Sequence, residues 1–572
     1  MTASTAPIDR SRRVGDLPIL GLIVGAAVLV MTFLVIYPVL RLIQYVFFEE
    51  GVLSLGSVNE TLADPSLVPA LIRTGILIAV ATPLSVVIGA ILAWLNERTD
   101  ARMGWAADML PIIPLLVPAI ATAIGWVVLL APRAGYLNAL ARFIFQGEAG
   151  LREAGPTNIY SAAGMIGVVV IVTVPLAYLT IAAAFRNMDP ALEEASRMSG
   201  ASATTTLRRV TLPAIRNAVA TASVLCLIHV VSLFSVPVII GSQGGFDVLS
   251  VLIYRRLDTL GGPRFDQMIV LSMFMLLTVQ LAVVAEYAIS RTGYHAKVGG
   301  KEMGRATNSL GVWGHIARGG IVLYVLAATV LPIAALSLLS LQAFWTPSIQ
   351  LDNLSLDNYA DVFTGRSALG RAFTNSLILG LATSTVLMLV AAVIAYRLAL
   401  AQGWIARIVN GLTTLPASIP HVVTGVAFLL AFGSGRGSLQ GTLILLFIAY
   451  LVMTLPQASR SAGAALSQVG REMWEASLMS GASQLRTFLR VLLPLMLPGL
   501  LAGWVIVFVI AFSETSGSVF LASPTANPVT GPTVLNVFRT SGTFPQIAAL
   551  CLAVTAVQTG IVFVVRFLGR RR

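Results

Sequence analysis

Along the chain, long apolar runs alternate with short polar connectors. A helix crosses a bilayer with about 20 predominantly apolar residues. Twelve runs approach that length: 17–43, 71–94, 109–130, 162–184, 218–240 and 268–289, then 319–341, 372–397, 409–432, 442–455, 497–521 and 547–567. The pattern predicts an all-α integral membrane protein of about twelve transmembrane helices. The tenth run is short, with ill-defined ends. The first follows RSRR at 10–13. It is longer than the roughly 7–15 residues of a signal-peptide core and lacks a small-residue cleavage site, so it reads as a retained anchor.

The connectors carry a second pattern. Residues 193–202 read EEASRMSGAS and residues 474–483 read WEASLMSGAS. From Glu194 to Pro213, thirteen of twenty positions are identical to those 281 residues later, with no gap. Solenoid units are about 20–50 residues long; this period is near half the chain. Two homologous six-helix halves are expected, at 1–290 and 319–572, joined by a cytoplasmic linker at 291–318. The repeated loops fall at 186–213 and 458–494. Pro114 and Pro118 match Pro416 and Pro420 at an offset of 302, as Ala70 and Thr74 match Ala372 and Ser376. The first half therefore carries 21 extra residues, placed in 133–161, a segment expected to offer a docking surface on the outside.

Composition sharpens this picture. Hydrophobic residues make up 57% of 572, charged residues 11%, and mean hydropathy is +0.87. Soluble domains carry about 25% charged residues, so the partner of most of this surface is lipid. The net charge of +12 comes almost wholly from arginine, lysine appearing only at 297 and 301. With the N terminus inside, Arg10, Arg12 and Arg13, Arg98 and Arg102, both repeated loops, the linker and the Arg570–Arg572 tail all lie inside. That is the positive-inside bias, and it makes nucleic-acid binding an unneeded reading of the charge. Arg255, Arg256 and Arg264 depart from it. The two cysteines, Cys226 and Cys551, lie in apolar runs and read as small buried hydrophobes. GGK at 299–301 is not a P-loop: position 295 is His295 and Glu302 follows Lys301. No nucleotide site is visible.

Asp189-Pro190 suits the start of a helix, and Gly200 its end. The loop thus reads as helix-turn-helix with small residues on one face, open to close approach, and with Glu194 adding a charge. Connectors normally drift faster than the elements they join, so two matching copies point to shared use.

The signature E-A-A, three residues, Gly, nine residues, a β-branched residue, one residue, Leu-Pro resembles that of permease subunits of binding-protein-dependent bacterial ABC importers. Both copies match, with Ser196 and Ser477 where that family often has Ala and Val210 and Val491 in its Ile position. The resemblance implies the type I importer permease fold in a bacterial inner membrane with both termini cytoplasmic. It also implies that Glu194, Ala195, Ser196 and Gly200, with Glu475, Ala476, Ser477 and Gly481, form coupling helices docking on separate ATPase subunits. Those two subunits, not this chain, would hold ATP and Mg, and an extracytoplasmic binding protein would deliver the cargo. Stretches 125–138, 158–166 and 182–202 are similar to fused permeases of the ferric-iron group, which shades into permeases for phosphonates, sugar phosphates, polyamines and thiamine.

Two other classes fit worse. A twelve-span ion-coupled secondary transporter of the major facilitator kind needs a charged signature after its second span, where LNERTDARMGW (95–105) has none, and usually intramembrane ionisable residues. A membrane enzyme needs clustered chemistry, whereas His229, His295, His315 and His421 are scattered. A candidate translocation path follows from the 281 register, which pairs Ser232 with Ser513. Ser235, Glu514, Thr515 and Ser516 lie beside them. Glu514 is the acid of an otherwise apolar span. It is expected to face the bundle interior or, if the span ends near Phe512, a solvated outer vestibule. Either placement suits a cationic cargo.

Overall fold

The computed structural model describes residues 17–49, 52–103, 113–146, 154–257, 262–291, 309–365, 367–400, 403–433, 437–540 and 543–570. His295, the GGK stretch and most of the linker lie outside them. Ten helices among the described residues are long and apolar enough to cross a bilayer. In the first half these include Leu67–Arg98, Ala162–Asn187 and Thr204–Ser232; in the second, Ala368–Leu400, Leu443–Ser467 and Gln484–Phe512. A bent pair, Ala406–Ser418 and His421–Phe432, meets at 105° and is an eleventh crossing if it counts as one span. The expected run 109–130 is described only from residue 113 onward.

The bend follows from proline chemistry. Proline lacks an N–H and pushes the residue before it out of the helical region. Ile419 is extended (φ −107°, ψ 117°) and Pro420 follows at φ −56°, ψ 140°, heading His421–Phe432. Pro118 heads Ala119–Leu130 with nearly the same angles, φ −53° and ψ 137°. Both breaks sit where the 302 register aligns them.

Other local devices repeat in register. The Ser161 hydroxyl accepts from Gly164 N–H at 3.1 Å to start Ala162–Asn187; Thr442 does the same for Leu445 at 3.2 Å. Pro175 and Pro456 lie inside the two matched helices. The Thr74 hydroxyl accepts from the Leu249 amide (2.8 Å), and the Ser376 hydroxyl from the Thr530 amide (2.9 Å). Each hydroxyl thereby satisfies an orphan donor at the start of a short helix, Leu249–Leu257 or Thr530–Thr540.

The tenth run proves longer than expected. Leu443–Ser467 continues through Pro456, Gln457, Ser459 and Arg460. The apolar pattern stops at Leu455 because the last turns face the bundle end and a cavity rather than lipid.

The halves interlock. Phe33 and Tyr37, on the first helix Leu17–Phe47, pack against Phe432 of the second half, with ring centroids 6.4 and 5.6 Å apart. Reciprocally, Leu331–Ser340 lies on Ala119–Leu130 so closely that a Cβ on Gly125 would meet Pro332 at 2.7 Å. Each half's opening helix rests on the other half.

At the end away from the repeated loops, the arginines that break the charge bias are matched by acids. Arg256 pairs with Asp64, and Arg255 with Asp247 at 2.9 Å. Burial works against the Asp64 carboxylate. Hydrogen bonds from Ser66 and the charges of Arg256 and Arg264 offset it and hold the group below its ordinary value. The extra segment forms Tyr136–Gln146. Its polar residues turn inward: Asn138 bonds Leu130, Ala131 and Thr157 oxygens, and Arg142 those of Pro132 and Arg133. Leu140, Phe143, Ile144 and Phe145 are exposed. Such an apolar face suits contact with a partner or with the bilayer boundary.

Candidate functional site

The two repeated loops have nearly the same geometry. Helices Ala191–Met198 and Arg471–Met479 end at Gly200 and Gly481, both at φ +82°. That left-handed turn favours glycine, and an added Cβ would meet nothing within 4 Å at either position. Ala201 N–H donates to Ser196 O and Ala482 N–H to Ser477 O, each at 3.2 Å, closing the helix ends. The Ser196 hydroxyl bonds Thr206 and the Ser477 hydroxyl bonds Thr487, each at 2.9 Å, tying the two arms together. This gives the serine at the third signature position a structural job. Asp189 supports the first helix by accepting from Ala191 N–H at 2.9 Å. A wide turn, Leu207–Thr211 or Phe488–Leu492, leads each loop back into the bundle.

Glu194, Ala195 and Gly200 are exposed, as are Glu475, Ala476 and Gly481. Met198 and Met479 stand out at 91% and 88% exposure. A bare methionine beside a carboxylate and small residues makes an adaptable contact surface.

The loops differ in how they are anchored, which sequence reasoning missed. Glu193 is 1% exposed. It accepts from the Thr211 hydroxyl at 2.7 Å and lies 3.9 Å from both Arg98 and Arg197. Arg98 donates to the Phe185 and Met188 carbonyls, and Arg186 pairs with Glu97 at 2.8 Å. At the position of Glu193 the second loop has Trp474, buried edge-on against Tyr396 at 5.6 Å, with Phe488 stacked behind. A charged anchor holds one loop and an aromatic anchor the other. The Glu-to-Trp mismatch at the head of an otherwise matched repeat was the available signal.

The candidate path residues fall at matched interruptions. The runs expected to continue to 240 and 521 break instead: Leu212–Ser232 stops before Pro237–Gly241, and Leu493–Phe512 before Ser518–Leu521. Ser232 and Ser513 thus sit at the two helix ends, and Ser235 and Thr515 are buried just beyond. Ser513 and Thr515 hydroxyls bond the Val509 and Ser513 carbonyls, and Ser516 is half-buried.

Of the two placements expected for Glu514, the structure has the interior one. The helix does end at Phe512, yet the carboxylate is 2% exposed, not solvated. Its Oε1 accepts from Gly517 N–H at 2.9 Å and its Oε2 from Ser518 N–H at 2.8 Å. His421 Nδ1 lies 3.5 Å from Oε1. The acid caps the short helix after the break, with both oxygens bonded to backbone amides. A Cβ on Gly425 would meet Gly517 O at 2.6 Å, so the loop is clamped. Among the described residues, no group of three or more His, Cys, Asp or Glu is placed to hold a metal ion. Cys226 and Cys551 are free and buried, as expected.

The chain matches the family described as binding-protein-dependent transport system inner membrane component twice, over residues 70–293 and 388–572. A ferric transport system permease protein, FbpB, of Actinobacillus pleuropneumoniae is 24% identical over 483 residues, 83% of this chain and 67% of the relative. A putative ferric transport system permease protein, FbpB 1, of Haemophilus influenzae is 24% identical over 470 residues, 80% of this chain and 71% of the relative. Among solved structures, a chain of a bacterial ABC transporter involved in import of the acidic polysaccharide alginate is 19% identical, with a TM-score of 0.38. It covers 46% of this chain and 92% of its own length.

Proposed function

Because the chain belongs to the family of binding-protein-dependent transport system inner membrane components, we propose that it acts with two ATPase subunits and one extracytoplasmic binding protein to import ferric iron. The repeated loops and both termini face the cytoplasm of a bacterial inner membrane. The observation that carries this reading is the twofold recurrence of one exposed helix-turn unit, 281 residues apart. One chain presents two equivalent docking sites, so one chain suffices for two ATPases. ATP and Mg sit on those partners. ATP binding draws the ATPases together, and Glu194–Gly200 and Glu475–Gly481 move with them. The interlocked halves then rock about the broken spans. The shift is driven by the different affinity of ATP for the two states.

Ferric iron as cargo is supported by alignment with two ferric transport permeases over four fifths of the chain. As cargo, the ion needs passage and no resident ligand set. The test is reconstitution of the chain with candidate ATPase and binding-protein partners. Native mass spectrometry is expected to give one permease per two ATPases; two permeases per ATPase pair overturns the assembly. ATP hydrolysis is expected to rise with ferric-loaded binding protein. A rise only with a phosphate ester, polyamine or thiamine replaces the cargo and leaves the assembly standing.

A further inference from the structure

The two halves differ in side-chain size at the loop end. In the first, Asn96 donates to the Tyr178 hydroxyl at 2.8 Å and Arg186 pairs with Glu97. These two contacts join Leu67–Arg98 to Ala162–Asn187 just above the loop. The registers assign their counterparts: Leu398 for Asn96, Ala399 for Glu97, Ser459 for Tyr178 and Ser467 for Arg186. A tyrosine, an arginine and a glutamate are replaced by two serines and an alanine. A cavity of about 620 Å3 is lined by all four of these smaller or apolar residues.

The chemistry of its wall is graded. Ile394, Leu398, Leu466 and Val469 supply apolar wall, and the exposed Arg460 and Arg471 supply its basic groups, Arg471 lying 3.9 Å from Glu475. Arg460 is exposed and has no ion-pair partner among the described residues. The buried Ser459 hydroxyl has no hydrogen-bond partner there. Trp474, the aromatic anchor of the second loop, forms part of the lining.

We infer that this cavity is a binding site for an anionic phospholipid, one acyl chain lying along the apolar wall and the headgroup meeting Arg460 and Arg471. The volume corresponds to about twenty water-sized groups, comparable to one acyl chain. The site lies at the ends of membrane-crossing helices, where headgroups sit. Basic pockets between such helices select anionic lipid, and an acyl chain against Trp474 would brace the second loop as Glu193 braces the first.

The test uses the full-length chain, delipidated and then titrated with phosphatidylglycerol or phosphatidylcholine, with bound lipid counted by native mass spectrometry. The wild type is expected to retain one phosphatidylglycerol in preference to phosphatidylcholine. Leu398→Asn with Ser459→Tyr, which copies the first half's bonded pair, is expected to lower that adduct at least about fivefold, as mass action requires when a site is closed. Arg460→Gln, which leaves the cavity open, is expected to equalise the two lipids without reducing total binding. Equal retention of the two lipids by the wild type overturns the site. So does an undiminished phosphatidylglycerol adduct in the filled variant. Should that variant not fold, an unchanged lipid preference in Arg460→Gln overturns it independently.

Discussion

Glu514 is an acid in a chain that has few, with both oxygens committed to the Gly517 and Ser518 amides. Glutamine keeps one acceptor and sets an NH2 against the other amide. One buried donor is then unsatisfied, a loss of about 1–3 kcal/mol. Glu514→Gln is therefore expected to lower the melting temperature of the detergent-solubilised chain. An unchanged melting temperature with lost uptake would return the carboxylate to the translocation path. The sequence did hold a warning: Ser513-Glu514-Thr515-Ser516-Gly517 is five non-apolar residues in a row, which no apolar span continues through. What it could not show is where the carboxylate points. That is fixed by the backbone break and by the close seat of Gly517 beneath Gly425.

Among the elements, the repeated loops were the most legible, because an exposed unit used twice keeps its residues in register. The φ of +82° at Gly200 and Gly481 puts a cost of about 1–2 kcal/mol on any side chain there, while the open space around each spares the fold further damage. Gly200→Trp and Gly481→Trp are expected to reach the membrane in near-normal yield. Hydrolysis stimulated by the binding protein is expected to fall at least about tenfold in a reconstituted complex, since bulk at the turn blocks close approach. Normal stimulation in both variants would remove the loops from the coupling path. Hydropathy misjudged the tenth span, because Gln457, Ser459 and Arg460 look like a connector. The 281 register carries Ala162–Asn187 onto that stretch and implies the full helix. The anchors beneath the loops escaped notice because Glu193 and Trp474 share no chemistry.

For the whole molecule, duplication was readable but interlocking was not. A repeat says which residues are equivalent and nothing about which half each touches. The contact of Phe33 and Tyr37 with Phe432, and that of Pro332 with Gly125, join residues far apart in sequence. A chain cut within residues 292–308 and expressed as two pieces is expected to co-purify through detergent, because each piece holds the other's opening helix. Independent elution of the pieces would contradict the interlocked packing.

The same exchange sets a timetable for synthesis. Leu17–Phe47 leaves the ribosome early, but its resting surface at His421–Phe432 is encoded much later. With about 370 residues between them and translation at about 5–20 residues per second, the first helix waits roughly 20–75 seconds in lipid for its partner. During that interval the nascent chain offers a helix packed only on Phe265–Arg291 of its own half to chaperones, proteases and other nascent chains. Quality control of this protein therefore falls late, at the moment the second half closes over a helix made first.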